Sequence, residues 1–285
     1  RVWPDGELYQ AVETPPQGKS VVLLAGTGTE ADTLETFDLA SALVHLGAAR
    51  LIVVLAFFGY GTMEKSRNPH AVITAKWRAR LWSALPVAPG GNRFLILEPH
   101  SACLPLYFEG ASLACGMDGR PLLADILAGL PEAPDLLCSP DIGRIKWVEG
   151  LARAAGRNTA FVLKRRGPGG VEAFGAYGEM AGRHVVLCDD MIRTGKTLLA
   201  AAEACHRAGA KSVSAVAVHG AFAAGSLEAL RSSGLFRTLA CTDSHPAAGG
   251  HDPDWPRVHG CAGFLAGAIA GEMGEKCGKW MADAI

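Results

Sequence analysis

The sequence lacks an apolar run long enough to cross a bilayer, and it shows no signal-peptide pattern. It also lacks a basic stripe interleaved with aromatic side chains, and its formal net charge is only −1 at pH 7. No short repeat or low-complexity segment is visible. We therefore expect neither a membrane partner nor a nucleic-acid partner.

The 8 cysteines include no Cys-x-x-Cys pair. They lie apart in largely apolar stretches, at Cys103, Cys115, Cys138, Cys188, Cys205, Cys241, Cys261 and Cys277. This scatter is typical of reduced, mostly buried thiols and disfavours a disulfide framework or a zinc site. This distribution of cysteines predicts a cytoplasmic enzyme.

The pattern of apolar segments indicates an α/β protein. Its 285 residues, 49% of them hydrophobic, allow about two domains at a prior of ~150 residues each. The predicted strands are 20–25, 51–57, 94–97, 136–138, 159–163, 185–188, 212–219 and 239–241. The predicted helices are 33–46, 74–85, 121–130, 145–155 and one from 197 that stops at Gly209. This alternation predicts mainly parallel sheets flanked by helices, one in each half. Pro-Glu-Ala-Pro at 131–134 interrupts it, which predicts domains of 1–133 and 134–285.

The stretch 185–198 is the one around which the chain is organised. A buried strand predicted from Val185-Val186-Leu187-Cys188 ends at Asp189 and Asp190, and a Thr/Gly-rich turn then leads into a helix. Such a turn brings backbone N–H groups, hydroxyls and a helix N-terminus to one place, which predicts a phosphate site. Adjacent acids repel one another unless a cation or a polyhydroxyl ligand lies between them.

Two other interpretations of the glycine motifs are weaker. Gly195-Lys196-Thr197 could end a Walker A loop, but that loop needs a glycine where Asp190 stands. Gly26-Thr27-Gly28-Thr29-Glu30-Ala31 imitates a dinucleotide fingerprint, but the next strand ends in Phe57-Phe58-Gly59-Tyr60 instead of an acid. A nicotinamide site is therefore not expected, and a tight phosphate or nucleotide turn is left open.

The acid pair and its turn resemble the phosphoribosyl-pyrophosphate (PRPP) loop of the type I phosphoribosyltransferase fold. The resemblance implies that Asp189 and Asp190 hold the ribose hydroxyls. It also implies that the 5-phosphate is bound by Arg193, Thr194, Gly195, Lys196 and Thr197.

Further motifs, in chain order, are similar to those of the ribose-phosphate pyrophosphokinase (PRPP synthetase) family. They are Pro4-Asp5-Gly6-Glu7, Phe58-Gly59-Tyr60, Ile73-Thr74-Ala75-Lys76, His100, Ser139-Pro140-Asp141-Ile142-Gly143, Lys164-Arg165-Arg166, Asp189-Asp190 and Thr242-Asp243-Ser244. The resemblance covers essentially the whole chain. It implies two tandem phosphoribosyltransferase-like domains and transfer of the β,γ-diphosphoryl group of ATP to ribose 5-phosphate, which gives PRPP and AMP.

The same resemblance implies roles for further residues. Lys164 and Arg166, in a predicted Gly/Pro-rich loop, would stabilise the transition state. His100 and Asp141 would contact Mg²⁺, and the ATP-binding residues would be Thr62, Glu64, Lys65 and His100. The substrates would be ATP and ribose 5-phosphate, and the protein would form a homo-oligomer, a dimer or a hexamer.

The chain departs from the family pattern at both phosphate sites. The segment after Tyr60 reads Gly61-Thr62-Met63-Glu64-Lys65, so two expected arginines are Thr62 and Lys65. Arg193 and Lys196 replace an acid and a glycine, which adds positive charge beside the phosphate. A phosphoribosyltransferase that consumes PRPP and a divergent, non-catalytic regulatory homologue therefore stay open as alternatives.

Overall fold

The computed structural model of the protein describes residues 1–66, 68–167 and 170–274, with the backbone alone for 164–167 and 170–174. The chain forms two compact units. The first comprises Arg1–Asp118 and the chain from Gly267 onward, and the second comprises Gly119–Ala266. This division into units differs from the predicted boundary at 133/134. The predicted domains, 1–133 and 134–285, stay a prediction.

The first unit is built on a parallel sheet. Its elements are β1 (Ser20–Gly26), α1 (Glu30–His45), β2 (Arg50–Phe57), α2 (Thr74–Ser83), β3 (Asn92–Leu97) and β4 (Ser112–Met117). The strand order is β1-β2-β3-β4. β2 is an almost unbroken apolar run because both of its faces are buried. β4 is absent from the predicted strands because Ser-Leu-Ala-Cys-Gly-Met lacks the β-branched and aromatic side chains that mark a strand.

The second unit holds a larger sheet. Its elements are α3 (Arg120–Ala128), β5 (Leu136–Ser139), α4 (Ile145–Ala154), β6 (Asn158–Gly167), β7 (Gly170–Tyr177), β8 (His184–Ile192), α5 (Lys196–Arg207), β9 (Ser212–Gly220), α6 (Ser226–Ser232), β10 (Leu239–Thr242) and β11 (Arg257–His259). The strand order is β11-β10-β9-β8-β5-β6-β7. The division between the units falls within α7 (Ala262–Glu272). In the described part of the chain, no helix is both long and apolar enough to span a membrane.

Two details of the second sheet were not predicted. β6 and β7 pair antiparallel, whereas the other pairs of the sheet are parallel, so the sheet is mainly parallel as predicted. A direct strand-to-strand connection this short permits only antiparallel pairing, because a parallel return needs a long crossover. β8 also runs on to Ile192, so the acid pair lies inside the strand and not after it. β9 pairs with β8 as far as Gly220 and keeps it extended.

Candidate active site

The carboxyl end of the second sheet gathers the polar motifs. β5, β8, β9 and β10 are parallel, so their carboxyl ends share one edge. Asp141 follows β5, Asp189 and Asp190 lie near the end of β8, and Thr242 ends β10. Ligands of α/β sheets bind beyond this edge, so this is the candidate site of the second unit.

The acid pair is nearly enclosed. Asp189 is 8% exposed and Asp190 is 2% exposed. The backbone N–H of Asp190 donates to Oδ1 of Asp189 at 2.9 Å. The guanidinium of Arg144 pairs with Asp190, with Nη2 lying 2.7 Å from Oδ2. The positive charge that adjacent acids need is therefore supplied by the chain itself.

The carboxyl group of Asp189 is perturbed by these surroundings. Burial raises its pKa well above the usual range, and Asp190 and then Asp141 raise that pKa further. Arg144 acts in the opposite direction. A cluster of acids at the mouth of a sheet, one of them with a raised pKa, is typical of a functional site.

The turn after β5 brings Asp141 and Arg144 to this edge. The hydroxyl of Ser139 donates to the carbonyl oxygen of Asp141 at 2.6 Å. A Cβ at Gly143 would lie only 3.3 Å from Oδ1 of Asp141, so the glycine allows that carboxylate its position. Arg144 ends the 3-10 turn Ile142–Arg144, directly before α4. The hydrogen bond from Ser139 therefore stabilises the turn, and Gly143 leaves space for the carboxylate of Asp141.

The predicted phosphate loop follows β8. Gly195 has φ 73° and caps the N-terminus of α5, and a Cβ there would lie 2.9 Å from Cγ of Leu230. Lys196 starts the helix, whose first turn contains no acid. A cation at this end opposes the helix dipole, whereas an anion would be stabilised by it. The predicted phosphate-binding residues thus continue from the end of β8 into α5 as Arg193, Thr194, Gly195, Lys196 and Thr197.

The basic run was predicted as a loop, and that prediction is wrong. The backbone of Lys164, Arg165 and Arg166 lies in β6, which pairs with β7 as far as Gly167↔Gly170. β6 pairs with β5 only up to Phe161↔Ser139, so the hairpin continues past the end of β5. The antiparallel partner satisfies the backbone groups that a loop would expose to water. The side chains of Lys164 and Arg166, and all of Pro168 and Gly169, lie outside the described residues.

A separate set of polar groups lies at the carboxyl ends of β9 and β10. Nδ1 of His219 lies 2.8 Å from the hydroxyl of Ser244, and Oγ1 of Thr242 donates to the carbonyl of Val218 at 2.6 Å. The backbone N–H of Cys261 donates to Oδ1 of Asp243 at 2.8 Å. The Thr-Asp-Ser motif therefore fastens the ends of β9 and β10.

The first unit has its own polar edge, at the carboxyl ends of β1 and β2. The buried hydroxyl of Thr27 donates to the carbonyl of Phe57 at 3.2 Å and accepts from the N–H of Gly59 at 2.9 Å. A Cβ at Gly59 would lie 1.8 Å from the carbonyl oxygen of Thr27, so only glycine fits. Tyr60 then adopts φ 62°, a left-handed conformation that non-glycine residues seldom take.

The predicted ATP-binding residues lie beyond this turn. A Cβ at Gly61 would lie 3.7 Å from Cβ of His100, so the segment after Tyr60 and the end of β3 are neighbours. Glu64 is buried, and its Oε1 is 3.0 Å from Nζ of Lys65, whose side chain is 85% exposed. Thr62 and His100 are half-buried.

Comparison with known proteins bears on both units. The family model for the phosphoribosyl transferase domain matches residues 111–248, and the model for the N-terminal domain of ribose phosphate pyrophosphokinase matches residues 1–85. A ribose-phosphate pyrophosphokinase of Prochlorococcus marinus (strain MIT 9313) is 32% identical over 93% of this chain and 79% of its own length. The chain belongs to the ribose-phosphate pyrophosphokinase family.

Other comparisons agree with this family. The ribose-phosphate pyrophosphokinase of Brucella melitensis is 29% identical over 97% of this chain and 88% of its own length. The crystal structure of phosphoribosylpyrophosphate synthetase from Mycobacterium smegmatis has a TM-score of 0.81, covering 96% of this chain and 89% of that one at 24% identity. The predicted family and the predicted fold class, two tandem phosphoribosyltransferase-like domains, are confirmed.

Some residues at these edges are not among the predicted ones. Arg144, the partner of Asp190, is one, although a cation beside the Ser-Pro-Asp-Ile-Gly turn was a usable signal. In the first unit, Oε1 of Glu30 accepts from the Tyr60 hydroxyl at 3.1 Å and from Nη2 of Arg78 at 2.8 Å. No sequence pattern indicated that contact, because the partners come from separate elements. In this pyrophosphokinase-family chain, His100 and Asp141 belong to different units, so their joint metal site stays a prediction.

Proposed function

We propose that this chain is a ribose-phosphate diphosphokinase that transfers the β,γ-diphosphoryl group of ATP to the 1-hydroxyl of ribose 5-phosphate, giving PRPP and AMP. The observation that carries the proposal is the enclosed acid pair of β8, followed directly by the glycine-capped start of α5. Family membership across both halves of the chain supports synthesis of PRPP over its consumption.

In this proposal the second unit binds the sugar phosphate. The acid pair, Asp189 with Asp190, accepts hydrogen bonds from the ribose hydroxyls. The 5-phosphate lies at the start of α5, where the first backbone N–H groups of the helix lack helical partners and can donate to an anion. Arg193 and Lys196 add positive charge at the same point, which strengthens the grip on a dianion.

The transfer needs neutralisation of charge more than covalent chemistry. The anomeric hydroxyl releases its proton to solvent as its oxygen attacks the β-phosphorus. The bond from that phosphorus to the oxygen of the α-phosphate breaks, and AMP leaves with the bond electrons. We assign Lys164 and Arg166 to stabilise the phosphoryl oxygens in the transition state. The hairpin position of their backbone, past the end of β5, supports this assignment.

Mg²⁺ is the cofactor that this chemistry implies. Among the described residues, no group of three or more His, Cys, Asp or Glu side chains could hold a metal ion. That suits Mg²⁺, which keeps several waters and binds through one or two carboxylates and substrate phosphates. We propose that Asp141 contributes such a carboxylate and that His100 contacts the metal or ATP. When bound, Mg²⁺ would neutralise the polyphosphate.

ATP is proposed to bind at the first unit, at Thr62, Glu64, Lys65 and His100. The hydrogen bond and the charge of Glu64 raise the pKa of Lys65 further above its usual range, in which a lysine is already a cation at neutral pH. Lysine offers a point charge where arginine would offer two parallel hydrogen bonds to a phosphate. This site should therefore discriminate less between donor nucleotides.

The test is to incubate the protein with ATP, ribose 5-phosphate and Mg²⁺ and to follow AMP by chromatography. AMP should form only when ribose 5-phosphate is present, in equal amount to PRPP. The match to a phosphoribosyl transferase domain favours a second candidate, transfer of ribose phosphate from PRPP to a base. Loss of PRPP that depends on a nucleobase, without AMP from ATP, would select that candidate. No turnover of either kind would select a regulatory homologue.

We further propose a cytoplasmic homo-oligomer, a dimer or a hexamer. Apolar side chains on the edge strand β1 support an interface, since Val22 is 36% exposed and Leu24 is 58% exposed. Light scattering after gel filtration measures the assembly, and a monomeric mass at micromolar concentration would refute it.

A further inference from the structure

No step of the proposed reaction uses Arg144, yet its side chain is paired with Asp190 of the acid pair. It lies at the junction of the 3-10 turn Ile142–Arg144 and α4. Its guanidinium carbon is 5.7 Å from the centroid of the Trp147 ring, and its side chain is 15% exposed. This ring contact and the low exposure limit the orientations open to a long side chain.

The pair that Arg144 forms is unlike an ordinary surface ion pair. In the Arg144–Asp190 pair the side-chain exposures are 15% and 2%, whereas those of the Arg153–Glu149 pair in α4 are 79% and 54%. A buried ion pair is weak evidence for stability, because desolvation offsets the attraction. It does fix the geometry of both partners, because a short charge-assisted hydrogen bond is strongly directional.

The members of the acid pair also differ in their access to solvent. Asp190 is almost completely covered, while Asp189 retains 8% exposure. Oδ1 of Asp189 accepts the backbone N–H of Asp190 at 2.9 Å. The charge of Asp190 and a side-chain hydrogen bond to it also raise the pKa of Asp189. The contacts therefore form one chain from Arg144 through Asp190 to Asp189.

We infer that Arg144 is a positioning residue for sugar recognition: it fixes Asp190, which orients Asp189 towards the hydroxyls of a sugar phosphate with a vicinal diol. The inference rests on the proposed function and narrows it: of the two acids, Asp189 alone accepts from the sugar hydroxyls, and Asp190 positions Asp189 instead of contacting the sugar. Losing Arg144 should weaken the recognition of the hydroxyls and leave the phosphate loop intact.

The test compares the Kd of ribose 5-phosphate with that of 2-deoxyribose 5-phosphate by calorimetry. The ratio of the two Kd values does not depend on the fraction of protein that is folded, so a merely structural effect would not change it. The proteins are the wild type, Arg144→Met, Asp190→Asn and the double variant. Arg144→Lys keeps the charge without the fork, and Arg153→Met is the matched control on α4.

The wild type should prefer the ribose compound, and each single variant should lower that preference roughly tenfold, the value of one charge-assisted hydrogen bond. The double variant should be no worse than either single one, because the residues act as a pair. Arg144→Lys should fall between Arg144→Met and the wild type, and Arg153→Met should equal the wild type.

An unchanged preference in Arg144→Met, or tighter ribose binding by that variant, would overturn the inference alone. Multiplied losses in the double variant would do so too, since they would mean that Asp190 contacts the sugar independently of Arg144. A wild type that binds no ribose 5-phosphate would overturn the proposed function, and the inference with it.

Discussion

Substitution of Gly195 by alanine should lower the free energy of unfolding of the second unit by more than the cost of a left-handed backbone conformation alone. The residue has φ 73°, and the left-handed conformation costs an L-residue about 1–2 kcal/mol. An added Cβ would also lie 2.9 Å from Cγ and 3.0 Å from both Cδ atoms of Leu230. Overpacking of this kind costs about 1–3 kcal/mol. The free energy of unfolding should therefore fall by about 2–5 kcal/mol.

Gly225 provides a matched control. It has φ 75° and caps the N-terminus of α6, but a Cβ there would meet no described atom within 4 Å. Gly225→Ala should therefore show only the conformational cost, about 1–2 kcal/mol. The difference between the two variants isolates the contact with Leu230.

Urea unfolding followed by circular dichroism measures both variants, and ribose 5-phosphate binding is measured in parallel. Gly195→Ala should be the less stable and should lose most of its affinity, because moving this turn displaces the start of α5. Leu230 is fully buried, so Leu230→Ala is itself destabilising by about 2–5 kcal/mol. The cost of Gly195→Ala should therefore be smaller when it is measured in the Leu230→Ala background than in the wild type. Equal destabilisation by both glycine variants would show that the Leu230 contact has no energetic role.

Three further changes test other parts of the molecule. Lys164→Ala should lower kcat roughly 10²–10³-fold with little change in the KM of ribose 5-phosphate, while Lys19→Ala should match the wild type. Full turnover would exclude the proposed role of the basic run. Burial raises the pKa of Asp189, so its ionisation destabilises the fold as pH rises from about 4. Asp189→Asn should therefore melt higher than the wild type at pH 7 while losing sugar binding; a lower melting temperature would contradict this. A hydrogen bond from Lys211 lowers the pKa of Glu132, so its stabilisation exists at neutral pH and is lost as pH falls below about 4. Glu132→Gln should flatten the acid limb of the stability curve, and parallel wild-type and variant curves would refute the effect.

Sequence patterning located most of the regular structure because local and long-range preferences agree there. The apolar strand at 51–57 is observed as Arg50–Phe57, and the helix predicted at 145–155 is observed as Ile145–Ala154. The apolar pattern does not predict the structure where pairing between strands determines it. Nothing local distinguishes Lys164–Arg166 in a loop from the same residues in a hairpin, because the stabilising partner is β7.

The sequence predicts those parts of the candidate site whose residues are adjacent in the chain. The acid pair and its turn are adjacent in sequence, and parallel strand order then explains why Asp141 lies at the same edge. The sequence signals Arg144 as a cation beside the turn after β5, but it does not specify Asp190 as the partner, because the two residues come from separate segments of the chain. The same holds for the contact of Glu30 with Tyr60 and Arg78.

The edge of β8 concentrates features that reduce stability or restrict which residue fits. Asp189 is buried with a raised pKa, Lys196 opposes the helix dipole, and the left-handed turn at Gly195 leaves no room for a side chain beside Leu230. Local rules are usually broken where a ligand compensates for them. A sugar phosphate compensates for two of these features at once, since its hydroxyls satisfy the acids and its phosphate neutralises Lys196. The coincidence of these strains at one sheet edge is therefore better explained by binding of a sugar phosphate than by folding alone.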